Sequence, residues 1–144
     1  MQVKIKRLDP SLPLPQYHTA GSAGFDFYAR TTTTIPSKEM ARIPTGLIIA
    51  TPPGYFLAVI NRSSTPQKKG LSMPNGVGVI DSDYCGEGDE IQVLMYNLTE
   101  QTVTIEKGER IAQGLFLKVE QGQWEEVEEV TSKSRGGFGS TGEK

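Results

Sequence analysis

Helical apolar periodicity is nearly absent from this chain, and that constrains its fold more than any other feature. Short apolar runs recur instead between Gly, Pro, Asn and Asp, the punctuation of an all-β domain. Gln2–Arg7 alternates, with Val3 and Ile5 on one face and Lys4 and Lys6 on the other. Arg42–Ala50, Tyr55–Ile60, Ile91–Asn97, Thr102–Glu106 and Ile111–Val119 read as further strands. Turn signals at Pro52-Pro53-Gly54, Asn75-Gly76 and Glu106-Lys107-Gly108 separate them. Strands this short and this punctuated predict a sandwich or a jelly-roll barrel. One short helix is expected within Ser63–Gly70. A hydroxyl residue can cap its start, Pro66 is tolerated in its first turn, and Gly70 suits the position past its end.

A chain of 144 residues fits one domain with a real core. Composition shifts only after about Glu129, so residues 1–130 are expected to form the β domain and 131–144 a flexible, glycine-rich arm. A net charge of −2 is poorly suited to sequence-independent nucleic-acid binding, and no nucleic-acid partner is expected. A small anion remains compatible, because a few local arginines suffice. The single cysteine, Cys85, excludes an intrachain disulfide and points to a reducing compartment. The N-terminus lacks the apolar segment of a signal peptide, and no apolar run reaches the length of about eighteen residues that a spanning helix needs. The expected location is therefore cytoplasmic, or the host cytoplasm for a virus- or phage-encoded chain, with no membrane partner. The N-x-S/T triplets at Asn61 and Asn97 are expected to be chance matches.

Five polar clusters stand out against the strand pattern. They are Ala23-Gly24-Phe25-Asp26-Phe27, Arg62-Ser63-Ser64, the run from Gly78 to Glu87 reading GVIDSDYCGE, Gly108-Glu109-Arg110-Ile111-Ala112-Gln113, and the run from Arg135 to Gly142 reading RGGFGSTG. In this order and spacing they resemble the five motifs of the homotrimeric dUTPases, from about Gly21 to the C-terminus. Pro44-Thr45-Gly46-Leu47 is similar to that family's lead-in strand. The resemblance implies a distorted jelly-roll or β-barrel of the dUTPase-like β-clip type, assembled as a homotrimer with shared active sites. It also implies hydrolysis of dUTP to dUMP and pyrophosphate, which lowers dUTP and supplies the precursor of dTMP. Mg²⁺ is the implied cofactor, held mainly by the triphosphate and water rather than by protein ligands.

The residue types suit that chemistry. Phosphoryl transfer needs charge neutralisation, in-line positioning and an oriented nucleophile. Arg62 and Arg135 offer planar forks of donors to phosphate oxygens. Ser63, Ser64, Ser140, Thr141 and the amide of Gly137 add short donors, and Gln113 can hold phosphate or metal-bound water. By family likeness, Asp81 orients the attacking water at the α-phosphate. Tyr84 is expected to pack on the deoxyribose and leave no room for a 2′-hydroxyl. The hairpin from Asn75 through Gly78, Val79 and Ile80 is expected to read uracil through backbone groups and the Asn75 amide. Phe138 is expected to stack over the base when the arm closes. Asp26 and Arg110 are expected to support the site rather than touch substrate or ligate metal.

Three departures from the family pattern carry their own expectations. Arg62-Ser63-Ser64 also occurs in the related dCTP deaminases, which keeps a deaminase as an alternative; the Asp81/Tyr84 cluster and the glycine-rich tail favour dUTP hydrolysis. Cys85 stands where arginine is frequent and is expected to be inert. Gly88-Asp89-Glu90 reads as an insertion before the strand at Ile91, absorbed by a bulge or a longer turn with solvated acids. His18, the only histidine, is expected in a solvated loop. A binding protein built on an old active site is a third class, disfavoured by the complete set of motifs.

Overall fold

The computed structural model describes residues 1–130, 133, 134, 136 and 137. Eleven strands and one helix make up its regular structure. A four-stranded sheet carries or borders several of the expected site residues. In spatial order it runs β2 (Phe25–Tyr28), β11 (Arg110–Lys118), β6 (Tyr55–Asn61) and β8 (Val77–Ile80). A second sheet joins β4 (Met40–Pro44), β9 (Gln92–Asn97) and β7 (Leu71–Ser72). Two pairs complete the fold: β1 (Lys4–Arg7) with β5 (Leu47–Ala50), and β3 (Thr33–Ile35) with β10 (Val103–Ile105). Every pairing among the described residues is antiparallel.

The core lies between the two larger sheets. Phe27, Ile43, Leu57, Val93, Met95 and Ala112 are fully enclosed there. β9 shows the expected period of two: Val93, Met95 and Asn97 turn inward while Gln92 faces out. Asn97 is buried as a polar junction. Its amide nitrogen donates to the carbonyls of Ile35, Pro36 and Gln101, and its oxygen accepts from Thr99. Asn61 plays a similar part, bonding Ser72 and the amide of Met73. Both N-x-S/T asparagines are thus internal fasteners.

The segment expected as one strand from Arg42 to Ala50 is two. Gly46 takes φ 73°, a left-handed conformation that glycine adopts without steric cost, and the chain turns a corner there. The part before the corner pairs with β9 and the part after it with β1. The short helix, α1, spans Thr65–Lys69 with Pro66 in its first turn and a left-handed Gly70 closing it. Ser64 occupies the cap position, but its side chain makes no capping hydrogen bond. Gly114 in β11 is required by packing, since a Cβ there would sit 2.6 Å from the ring of Phe25 and 2.8 Å from that of Phe27.

Candidate active site

The first cluster forms where β2, β6 and β11 run side by side. Asp26 lies between Phe25 and Phe27 on β2, and those two rings turn into the core. By the strand period its carboxylate points the other way, yet Asp26 is only 3% exposed. Three side chains cover it. Arg62 Nε donates to Oδ1 at 3.0 Å, Arg110 Nη1 donates to Oδ2 at 3.1 Å, and His18 Nε2 lies 3.2 Å from Oδ2. His18 therefore departs from the expected solvated-loop position: it is half-exposed, but its ring rests on a buried carboxylate.

Arg62 follows directly on β6, and its Nη1 also reaches the Arg110 carbonyl at 3.4 Å. A register shift between Arg110 and Ala112 gives β11 an extra residue against β2 at that point, the signature of a bulge. Gln113 lies opposite Asp26 on one side and Ile60 on the other. A cleft of about 180 Å³ opens beside this group, lined by Arg62, Ser64, Lys68, Glu109 and Arg110 among others. Lys69 pairs with Glu109 at 2.6 Å along its wall. The chemistry here is cationic and rich in donors, suited to an oligophosphate. Ser63 is exposed at the start of this loop.

The second cluster lies on β8 and the loop after it. β8 pairs only with β6, so one of its edges is free to offer backbone N–H and C=O groups. Gly78 sits opposite Val59; a Cβ there would approach Val59 Cβ to 3.2 Å and the Asn75 amide nitrogen to 3.7 Å. Asn75 and Gly76 make the turn into the strand, with Gly76 at φ 68°. After Ile80 the chain folds back on itself: the Tyr84 amide donates to the Asp81 carbonyl and that of Cys85 to the Asp83 carbonyl. Asp81 is exposed and lines a broad hollow of about 860 Å³ with Tyr55, Phe56 and Val79. Ile80 and Tyr84 line a separate hollow with Arg42, Gln92 and Leu94. Lys6 donates to Glu87 in the same loop and holds its carboxyl below the usual range.

On one chain Arg62 and Asp81 lie at opposite ends of the β6–β8 pair, while Asn75 and Gly78 lie nearer the Arg62 end. Ile80 stands opposite Leu57, whereas Arg62 lies five positions further along the chain from Leu57, beyond the end of β6. At about 3.3 Å per residue those five positions span roughly 16 Å of backbone. The cleft beside Arg62 and the hollow beside Asp81 share no lining residue. Gly137 is exposed with open space around it. The remaining arm positions, Arg135, Phe138, Ser140 and Thr141, lie outside the described residues.

A family model described as dUTPase matches residues 11–142. This chain belongs to the dUTPase family. It is 44% identical to the deoxyuridine 5′-triphosphate nucleotidohydrolase of Fusobacterium nucleatum, over 99% of this chain and 97% of that one. Among solved structures, it is similar to the dUTPase of Streptococcus mutans, with a TM-score of 0.76, 35% identity, and coverage of 83% of this chain and 98% of that one. It is also similar to the dUTPase of Staphylococcus bacteriophage 80alpha solved with dUpNHpp, with a TM-score of 0.86, 25% identity and 98% of both chains covered. The dUTPase fold is mostly β, with antiparallel sheets and a single short helix in the described part of this chain.

Sequence reasoning missed two contacts in this dUTPase chain. His18 gave no local signal, because Asp26 meets its ring only through folding. Glu90 was assigned to solvent with the other inserted acids, and the structure overturns this. It is buried at 9% exposure, with its carboxylate paired to Arg30 at 2.9 and 2.7 Å.

Proposed function

We infer that this chain hydrolyses dUTP to dUMP and pyrophosphate. The observation that carries the reading is the dUTPase match across nearly the whole chain, which spans all five polar clusters. The deciding experiment is release of pyrophosphate from dUTP in the presence of Mg²⁺; no turnover there would refute it. A companion incubation with dCTP tests deamination, and ammonia release would move the chain to the deaminase branch.

We assign the residue roles by likeness to the dUTPase motifs, and the residue types suit them. Water adds to the α-phosphorus, the bond to the bridging oxygen of the pyrophosphate breaks, and one water proton must leave. Asp81 orients that water and accepts its proton. Its contribution is mostly placement of the water in line with the leaving pyrophosphate. Arg62 binds triphosphate oxygens, with Ser63, Ser64 and Gln113 adding neutral donors, while Asp26 and Arg110 hold the Arg62 fork in place. The free edge of β8 and the Asn75 amide bind the pyrimidine's pairing edge, and Tyr84 walls off the 2′ position. Arg135, Gly137, Phe138, Ser140 and Thr141 complete the site from the arm.

No group of three or more His, Cys, Asp or Glu suited to a metal occurs among the described residues. The donors beside Arg62 instead fit a Mg²⁺ that arrives on the triphosphate, with Gln113 available to a metal-bound water. When bound, that ion would neutralise charge on the leaving pyrophosphate.

The backbone separation of roughly 16 Å between Arg62 and the end of the pair that carries Asp81 supports a site completed by another copy, as in a homotrimer. The stretch after β11 supports the same reading. Trp124 is 99% exposed there, and Val127 and Val130 are also uncovered. An apolar hollow lined by Val3, Ile5, Leu14, Tyr17 and Phe25 lies open elsewhere on the surface. In the assembled protein, we assign residues 131–144 to an arm that closes over a site.

A further inference from the structure

The inserted residues Gly88-Asp89-Glu90 form a braced strut rather than a loose loop. Asp89 accepts the Gly86 amide on its carboxylate at 2.7 Å, and its own amide donates to the Gly86 carbonyl at 3.1 Å. The Glu90 amide donates to the Gly88 carbonyl at 2.9 Å. The Glu90 carboxylate is held on two sides. Arg30 grips it through Nε and Nη2, and the Gly46 amide, at the left-handed corner between β4 and β5, donates to Oε1 at 2.7 Å. The next residue, Ile91, is bonded through its amide to the Leu47 carbonyl at 2.9 Å. The peptide carbonyl of Glu90 therefore stands at a fixed point of the barrel. It accepts the phenol of Tyr84 at 3.4 Å.

We propose that Glu90, clamped by Arg30 and Gly46, is a positioning residue that sets the seat of the Tyr84 ring and so sharpens exclusion of ribonucleotides. This rests on the reading of Tyr84 as the wall beside the sugar. The physical reason is geometric. Tyr84 is 41% exposed, so packing covers its ring on one side only and a polar anchor adds to its placement. A wall that excludes one hydroxyl has to stand firm to within a fraction of an ångström. The phenol contact, long at 3.4 Å, links the far end of the ring to the carbonyl of a residue held by a partly buried, bidentate ion pair. Glu90 does not meet substrate; it acts through Tyr84.

The test compares kcat/KM for dUTP and for UTP in Glu90→Gln, Arg30→Lys, Tyr84→Phe and the double variant Glu90→Gln/Tyr84→Phe, with Tyr84→Ala as the reference. Glu90→Gln weakens the grip on Arg30, Arg30→Lys keeps the charge and loses the fork, and Tyr84→Phe removes only the phenol contact. The expected result is a roughly tenfold fall in the dUTP:UTP preference in each single variant. It should arise mainly from better use of UTP, with no further fall in the double variant. If both substrates lose equally and the preference is unchanged while the melting temperature drops, the clamp only stabilises the fold and the proposal is overturned. Should Glu90→Gln or Arg30→Lys fail to fold, Tyr84→Phe still decides, because an unchanged preference there removes the contact on which the proposal depends. An unchanged preference in Tyr84→Ala would instead show that the Tyr84 assignment itself is wrong, and the proposal falls with it.

Discussion

A single carboxylate, Asp26, gathers two guanidinium groups and an imidazole from three different parts of the chain. Enclosing a charge this well is favourable only because each oxygen is paired. Asp26→Ala leaves Arg62 and Arg110 facing each other without a counter-charge. Both retain partial exposure, 23% and 45% at the side chain, so the cost should fall at the low end for a broken buried pair, about 2–3 kcal/mol. Urea unfolding would measure it, and KM for dUTP should rise with it because Arg62 loses its brace. Asp81 behaves oppositely. It is exposed at the end of β8, and none of the described side-chain hydrogen bonds involves it, so Asp81→Asn should leave stability within about 0.5 kcal/mol. Its kcat should fall at least about a hundredfold with little change in the affinity for a non-hydrolysable dUTP analogue. Near-normal turnover would remove Asp81 from the mechanism. At this scale the sequence was readable where a residue sits inside a contiguous cluster. It was silent where the partner is remote, as for Glu90, whose Arg30 partner lies sixty positions away in the chain.

Among elements, β11 links the two halves of the site-bearing sheet, pairing with β2 on one side and β6 on the other. Its contact with β2 depends on Gly114 having no side chain, because Phe25 and Phe27 fill the space a Cβ would need. Gly114→Ala should therefore cost about 1–3 kcal/mol through overpacking. Gly122→Ala, where a Cβ meets open space, should be close to neutral. Paired thermal melts would separate the two, and equal melting temperatures would refute the packing argument. The helix could be read in advance because Pro66 and Gly70 bracket it chemically. The corner at Gly46 could not. Leu47, Ile48 and Ile49 continue the apolar run of a strand, and only the left-handed backbone reveals the break. β2 was hidden for a related reason: Phe25, Asp26 and Phe27 are all buried, so the strand lacks the solvated face that alternation depends on.

For the whole molecule, the separation of Arg62 from Asp81 along the β6–β8 pair underlies the proposal of a site shared between copies, which is open to direct test. Trp124 is the sole tryptophan and stands almost fully in solvent on one chain, so its fluorescence reports the segment's surroundings. Light scattering should give a trimer mass. Dilution through the dissociation range should red-shift the emission as Trp124 leaves an apolar contact. Emission that stays at the solvent-exposed wavelength at every concentration would show that this segment is not covered by a neighbour. Truncation after Val130 should preserve the assembly and remove most dUTP turnover; full activity would release residues 131–144 from any role at the site. The sequence conveyed the motif set, but not how one chain divides it. That division follows from the register of β6 against β8, which no local pattern encodes.

The junction at Asn97 has a practical consequence for production. Its Nδ2 is committed to three backbone carbonyls inside the barrel, and its triplet reads Asn-Leu-Thr. A eukaryotic secretory host adds glycan to such triplets on the nascent chain, before the barrel can close over them. A sugar on that nitrogen has no space in an interior that leaves Asn97 with 0% exposure. Secreted expression would thus divert the chain into glycosylated material unable to complete its core, and Thr99→Ser would not relieve it. Expression in the bacterial cytosol avoids the conflict altogether.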